Sequence, residues 1–208
     1  MWRRAPGYFD VVTYTGTGSA TTIAHNLGVK PEMMWFKARD QAYSWMVYHE
    51  DLTADRYLRL NQTNDRKISD EAFNNTEPTA EVFTVSYDNA INNNNYPYIA
   101  HLFASVDGIS KVGSYTGTGN DLNVDCGFSA GSRFILIKRT DVTGDWYFWD
   151  SLRGIVAGND PYLLLNHAAA QVTNTDYVDP LSSGFTVTSS APTALNASGG
   201  TYIFLAIA

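Results

Sequence analysis

Apolar residues come along this chain in short bursts: Phe9 to Tyr14, Met33 to Phe36, Trp45 to Tyr48, Val82 to Val85 and Ile99 to Phe103. Each burst has the length of a strand, is rich in β-branched and aromatic residues, and is bounded by Gly, Asn, Asp or Pro, the residues that end strands in turns. The same rhythm returns in the second half, where Phe134-Ile135-Leu136-Ile137 is the most continuous apolar run. A run without polar alternation predicts a strand buried on both faces. Only Asp65 to Asn74 and Asn166 to Asp176 read as places for a short helix, the second because Ala168-Ala169-Ala170-Gln171 favours one by propensity.

The second half also repeats the first in sequence. Tyr14-Thr15-Gly16-Thr17-Gly18 returns as Tyr115-Thr116-Gly117-Thr118-Gly119, and the same displacement matches Lys37 with Lys138, Asp40 with Asp141 and Trp45 with Trp146. Tyr57 to Asn61 answers Tyr162 to Asn166, and Phe83-Thr84-Val85 answers Phe185-Thr186-Val187. Self-similarity at this period predicts an all-β protein of two tandem homologous antiparallel β-sandwich units, jelly-roll-like and packed together. Their expected bounds are 8–106 and 109–208, with residues 1–7 as an N-terminal arm and Val106 to Ser110 as a link too short for a flexible tether.

Composition narrows the function classes. The 208 residues are 44% hydrophobic and 13% aromatic, ample for a core, while only 17% are charged. Fourteen basic against twenty-one acidic side chains give a net charge of −7, the wrong sign for gripping nucleic acid or anionic lipid, so neither is expected as a partner. No apolar run approaches the roughly 18 residues of a membrane span, and no membrane insertion is expected. Cys126 is the single cysteine, which excludes an intramolecular disulfide and a Cys-rich zinc site.

Candidate chemistry is thin. Gly127-Phe128-Ser129-Ala130-Gly131 fits the G-x-S-x-G pattern of a hydrolase nucleophile elbow, but that pattern needs a following helix, and Ser132 to Arg139 reads as a strand. The Gly-Thr-Gly of each unit likewise opens no helix that would cradle a phosphate, so a hairpin turn with glycine at positive φ is expected. His25, His49, His101 and His167 fall at unrelated spacings, so no metal is implied. Asp40 and Asp141 sit in turn-like segments and read as turn residues. No catalytic residue and no cofactor is implied, and the expectation is a protein that is not an enzyme. Contact-capable side chains are Tyr43, Tyr96, Tyr147 and Trp149, which differ between the units or lie beside loops, and the run Asn92-Asn93-Asn94-Asn95 before the last strand of the first unit. Aromatic rings combine apolar area with a polar handle, and amides hydrogen-bond hydroxyl-rich ligands.

Phe9 to Gly18, Ile23 to Glu32, Trp35-Phe36-Lys37 and Tyr98-Ile99-Ala100 to Phe103-Ala104 together resemble a repeated domain of tailed-bacteriophage structural proteins, frequent in marine and cyanobacterial phages. The second unit is similar through Lys111 to Gly117 and Gly127 to Arg139, but lacks the Asn-Leu-Gly and Pro elements. The resemblance implies a virion location and a tail-fibre or appendage that adsorbs to a host-surface glycan or protein, with other virion proteins as partners and a homotrimer as the usual assembly. The alternative it implies is a capsid decoration protein on the major capsid lattice, attached through Trp2, Arg3 and Arg4. A third reading, a polysaccharide depolymerase, needs two carboxylates at glycosidase separation, and the sequence signals none.

Overall fold

Strands carry this chain, and its helices are single turns. The computed structural model describes residues 4–208, and the described chain divides into two units between Ser105 and Val106. The first holds β1 (Phe9–Thr15), β2 (Thr21–Ala24), β3 (Met33–Ala38), β4 (Met46–His49), β5 (Arg56–Arg59), β6 (Lys67–Ile68), β7 (Val82–Val85) and β8 (Pro97–Phe103). The second holds β9 (Ser110–Thr116), β10 (Leu122–Asp125), β11 (Phe134–Arg139), β12 (Trp146–Asp150), β13 (Leu163–Leu164), β14 (Val178–Leu181), β15 (Gly184–Val187) and β16 (Thr201–Ile207). One-turn helices α1 (Asp70–Phe73), α2 (Asn89–Asn92) and α3 (Thr193–Asn196) fill connections.

Within the first unit the large sheet runs β1-β8-β3-β4-β5-β6 and the small sheet pairs β2 with β7. Within the second the corresponding orders are β9-β16-β11-β12-β13 and β10-β15-β14, and all strand pairs are antiparallel. The register agrees as well: Met33 faces His49 in one unit and Phe134 faces Asp150 in the other, both displaced by the period of the sequence repeat. Pairing the first strand with the last and the second with the seventh is how a jelly roll begins. Here, however, β3, β4 and β5 stay in one sheet as a meander, where a jelly roll would send successive strands to opposite sheets.

A core lies between the two sheets of each unit. Phe36, Tyr48, Phe73, Phe83 and Leu102 anchor the first, and Ile137, Trp149, Phe185 and Phe204 the second. Edge-to-face ring pairs join the two sheets in both, Phe36 with Phe83 and Phe185 with Phe204, each 5.4 Å between centroids. Ile135, Leu136 and Ile137 on β11 are all fully buried, as the unbroken apolar run predicts. The adjoining Lys138 is buried too, and its ammonium donates to the carbonyls of Arg139 and Gly144 at 2.8 and 2.9 Å.

Several sequence expectations need correction. Val106 to Ser110 is not a link: Val106 and Ser110 exchange backbone hydrogen bonds around Gly108, and this turn opens the second unit. Ala5 and Phe9 do the same around Gly7, so the described part of the expected arm, Arg4 to Gly7, is folded into the first unit. Asn166 to Asp176 contains no helix, because Ala168 to Gln171 is exposed and has no apolar face to dock. Asp65 to Asn74 does contain α1, begun by the Ser69 side chain accepting from Glu71 N and ended by Asn74 in the left-handed region. Finally, Gly16-Thr17-Gly18 is not a hairpin, since β1 and β2 pair with different strands and the turn carries the chain from one sheet to the other.

Candidate functional site

The first cluster of contact-capable residues stands on that sheet-switching corner. Gly18 has φ of +73°, while at Gly16 a Cβ would lie 2.1 Å from the Asn93 carbonyl oxygen. The corner can therefore press against the α2–β8 connection. Asn92, at the end of α2, is fully buried. Its Oδ1 accepts from Thr17 N at 2.8 Å, and its Nδ2 donates to the carbonyls of Ser19 and Ser86 at 2.8 and 2.5 Å. Tyr14 donates to the Ile91 carbonyl and Tyr98 to that of Asn89, both at 2.6 Å, while the two rings stack at 5.3 Å. The Tyr98 hydroxyl in turn accepts from Asn93 N at 2.8 Å.

The second unit has the same lock. Asn196 accepts from Thr118 N and donates to the carbonyls of Asn120 and Thr188. Tyr115 and Tyr202 take the places of Tyr14 and Tyr98, bonded to the carbonyls of Leu195 and Thr193. Asn92 is thus a structural clamp, and its amide is spent on the backbone. Beyond it, Asn93 is half-buried and donates to the Tyr43 hydroxyl at 3.3 Å, Asn94 and Asn95 are exposed, and Tyr96 is half-buried. These five residues form a polar rim on a corner that the clamp holds rigid.

Tyr147 and Trp149 belong to a different cluster, in the second unit. Both sit on β12 with side chains toward the core, and Trp149 is fully buried with its indole Nε1 donating to the Asp160 carbonyl at 3.2 Å. An exposed contact role for Trp149 is therefore excluded by packing. Tyr147 is 9% exposed and stacks on Trp149 at 6.1 Å. Tyr162 lies against both, at 5.1 and 5.9 Å, and Tyr177 follows at 5.7 Å from Tyr162. Asp160 holds this group together: its carboxylate accepts from Tyr177 N and Val178 N at 2.8 and 3.0 Å, and its carbonyl also accepts from Thr175 Oγ1. Burial outweighs those backbone donors and pushes the Asp160 carboxyl up to about 6.

The sequence missed Asp145, Asp160, Tyr162 and Tyr177 as members of this patch. Asp145 Oδ1 accepts from Asn166 Nδ2 at 2.8 Å, which fixes the carboxylate, and its charge acts on the hydroxyls of Tyr147 and Tyr162. Burial comes first, and then Tyr162, Asp145 and Tyr177, in pushing the Tyr147 hydroxyl up to about 12. A signal was available in the departures from the repeat: Asp145 and Tyr147 stand where the first unit has Ser44 and Met46.

The remaining candidates fall outside both clusters. Trp2 and Arg3 lie outside the described residues, and Arg4 pairs with the buried carboxylate of Asp10, which also accepts from Val11 N and Asn26 N. Its charge is used within its own unit. His25 and His49 serve as local acceptors for Leu27 N and Asp51 N at 3.2 Å. Asp141 is not only a turn residue, since Arg139 grips it through two nitrogens at 2.8 and 3.0 Å and holds its carboxyl at about 2. Ser129 is exposed on a bend that leads into β11 rather than a helix, which is not the setting of a nucleophile elbow. Among the described residues no three His, Cys, Asp or Glu side chains gather as a metal site, and no helix is long and apolar enough to cross a membrane.

A family model described as Domain of unknown function (DUF7483) matches residues 5–208. The chain belongs to the DUF7483 family. One DUF7483 model spans both units, so the family is defined on the pair. No curated protein and no solved structure matches the chain.

Proposed function

We propose that this chain is a non-enzymatic structural protein of a bacteriophage virion, a tail-fibre or appendage domain that mediates adsorption to the host surface. Its partners on this reading are other virion proteins and a host glycan or protein, and a homotrimer is the expected assembly. The resemblance of both units to phage structural domains motivates the reading. The observation that carries it is the rim: exposed Asn94 and Asn95 and half-buried Asn93 and Tyr96, with Tyr43 bonded to Asn93, lie beside a corner locked by Asn92, Tyr14 and Tyr98. A contact surface held rigid before binding loses little conformational entropy on contact, which suits weak contacts repeated over many copies.

The test is to label intact phage particles with an antibody against this chain and image them. Label at the tail tip, together with reduced adsorption when purified chain competes, is the expected result. Label spread over the head replaces this reading with capsid decoration, and particles without label reject a virion role.

A further inference from the structure

We infer that the second unit carries a binding patch for neutral saccharide, formed by the hydroxyls of Tyr147, Tyr162 and Tyr177 and the carboxylate of Asp145. This goes beyond the contact reading above, since it names a ligand class for a second place, on the other unit from the rim.

The patch is built rather than incidental. Tyr147 is nine-tenths buried, yet its hydroxyl makes no hydrogen bond within the described residues and is not sealed from solvent. A buried phenol ordinarily finds a partner, so one that is fixed by packing and left open is poised for a ligand. The hydroxyls of Tyr162 and Tyr177 are likewise unpaired, and both rings are half-buried. Three elements fix the geometry: β12 carries Tyr147, the strand start at β13 follows Tyr162, and Asp160 ties Tyr177 down through its backbone N–H. Asn166 donates to Asp145 Oδ1 and leaves Oδ2 open as an acceptor.

The ligand class follows from what these groups offer. Each phenol both donates and accepts, and a carboxylate accepts twice, which matches the paired donor and acceptor character of sugar hydroxyls. A tyrosine hydroxyl is protonated, and so able to donate, at neutral pH, and burial moves Tyr147 and Tyr162 further in that direction. Asp145 and a chain charge of −7 disfavour an anionic sugar. A quaternary ammonium would need an open ring face, and the Tyr147 ring is buried against Trp149 and Tyr162. In the first unit Ser44 and Met46 stand in place of Asp145 and Tyr147, and Tyr57, the counterpart of Tyr162, is buried under the Arg59 guanidinium.

The experiment titrates the purified full chain, observed by NMR with labelled tyrosine, against maltotriose, triacetylchitotriose, trigalacturonate and tetramethylammonium. Shifts of Tyr147, Tyr162 and Tyr177 with at least one neutral trisaccharide are expected, weaker by about three- to tenfold in Tyr147→Phe, Tyr162→Phe and Asp145→Asn, as the loss of one hydrogen bond implies. Tyr87→Phe, at an exposed tyrosine of the first unit outside both clusters, leaves the affinity unchanged. The inference is overturned if neither neutral sugar shifts these tyrosines, if only trigalacturonate or tetramethylammonium does, or if the hydroxyl deletions bind as the parent does. The phenol-to-phenyl changes keep the ring packing, so loss of binding with an unchanged spectrum elsewhere reads the patch rather than the fold. Failure here leaves the virion location standing, and a particle without label leaves a positive titration standing.

Discussion

A buried amide and a buried acid show how differently two polar side chains serve the same kind of fold. Asn92 and Asn196 satisfy both ends of their amides against backbone, so the run of asparagines that reads as one polar loop is divided between a clamp and a rim. Sequence gave no means of separating Asn92 from Asn93, because the division depends on a helical turn only four residues long. Asp160 is the contrasting case, fully buried with its carboxyl raised to about 6 from an ordinary 3.8. With the folded pKa above the unfolded one, the native state binds more protons between these values, and stability falls as pH rises through them. The difference in unfolding free energy between the parent and Asp160→Asn should therefore shrink by about 2–3 kcal/mol from pH 4 to pH 6.5, at about 1.4 kcal/mol per pKa unit. Urea titrations of both proteins across that range measure it. Asp141, whose pKa is lowered, acts oppositely and below pH 4, but it is common to both proteins and cancels.

At the scale of elements, strands were legible and their partners were less so. Bursts such as Val82 to Val85 and Phe134 to Ile137 became strands because apolar period and turn residues act locally. That β1 pairs with β8 rather than β2 is decided by the corner, which is a matter of tertiary crowding. The two glycines of each Gly-Thr-Gly divide the work: Gly18 and Gly119 supply positive φ, whereas Gly16 and Gly117 supply space. A Cβ on Gly117 would meet the Ala197 carbonyl at 2.4 Å and the Tyr202 ring at 3.0 Å. Gly117→Ala is expected to destabilise the chain by about 2–3 kcal/mol through overpacking, visible as a lowered denaturation midpoint. Gly7→Ala meets no neighbour within 4 Å, so its cost is confined to backbone strain of about 1–2 kcal/mol. An equal effect of the two changes would reject the crowding argument.

For the whole molecule, the repeat predicts two of everything that the fold alone provides, and only one of what depends on residues that differ between units. The clamp occurs twice, with the same donors and acceptors. The phenol patch occurs once, because it needs Asp145 and Tyr147 from one loop and strand, Tyr162 from the next connection and Tyr177 from another, and the first unit departs at three of these, with Ser44, Met46 and, by its backbone bond from Ser86 N, Ala72. Composition and periodicity made the doubled framework visible; the patch stayed hidden since its members are separated along the chain and meet only after folding. Saccharide should therefore bind with one site per chain, counted by calorimetry at saturating ligand, and tyrosine shifts should be confined to the second unit. Two equivalent sites would mean that backbone shape, not these side chains, makes the contact. With one weak site per chain, useful attachment depends on copy number: presenting several chains on one particle raises the apparent affinity by about 10²–10⁴-fold only where their spacing lets them engage together. A monomeric chain should accordingly compete poorly with an artificially trimerised one for a saccharide-coated surface, while both give the same affinity for free trisaccharide in solution.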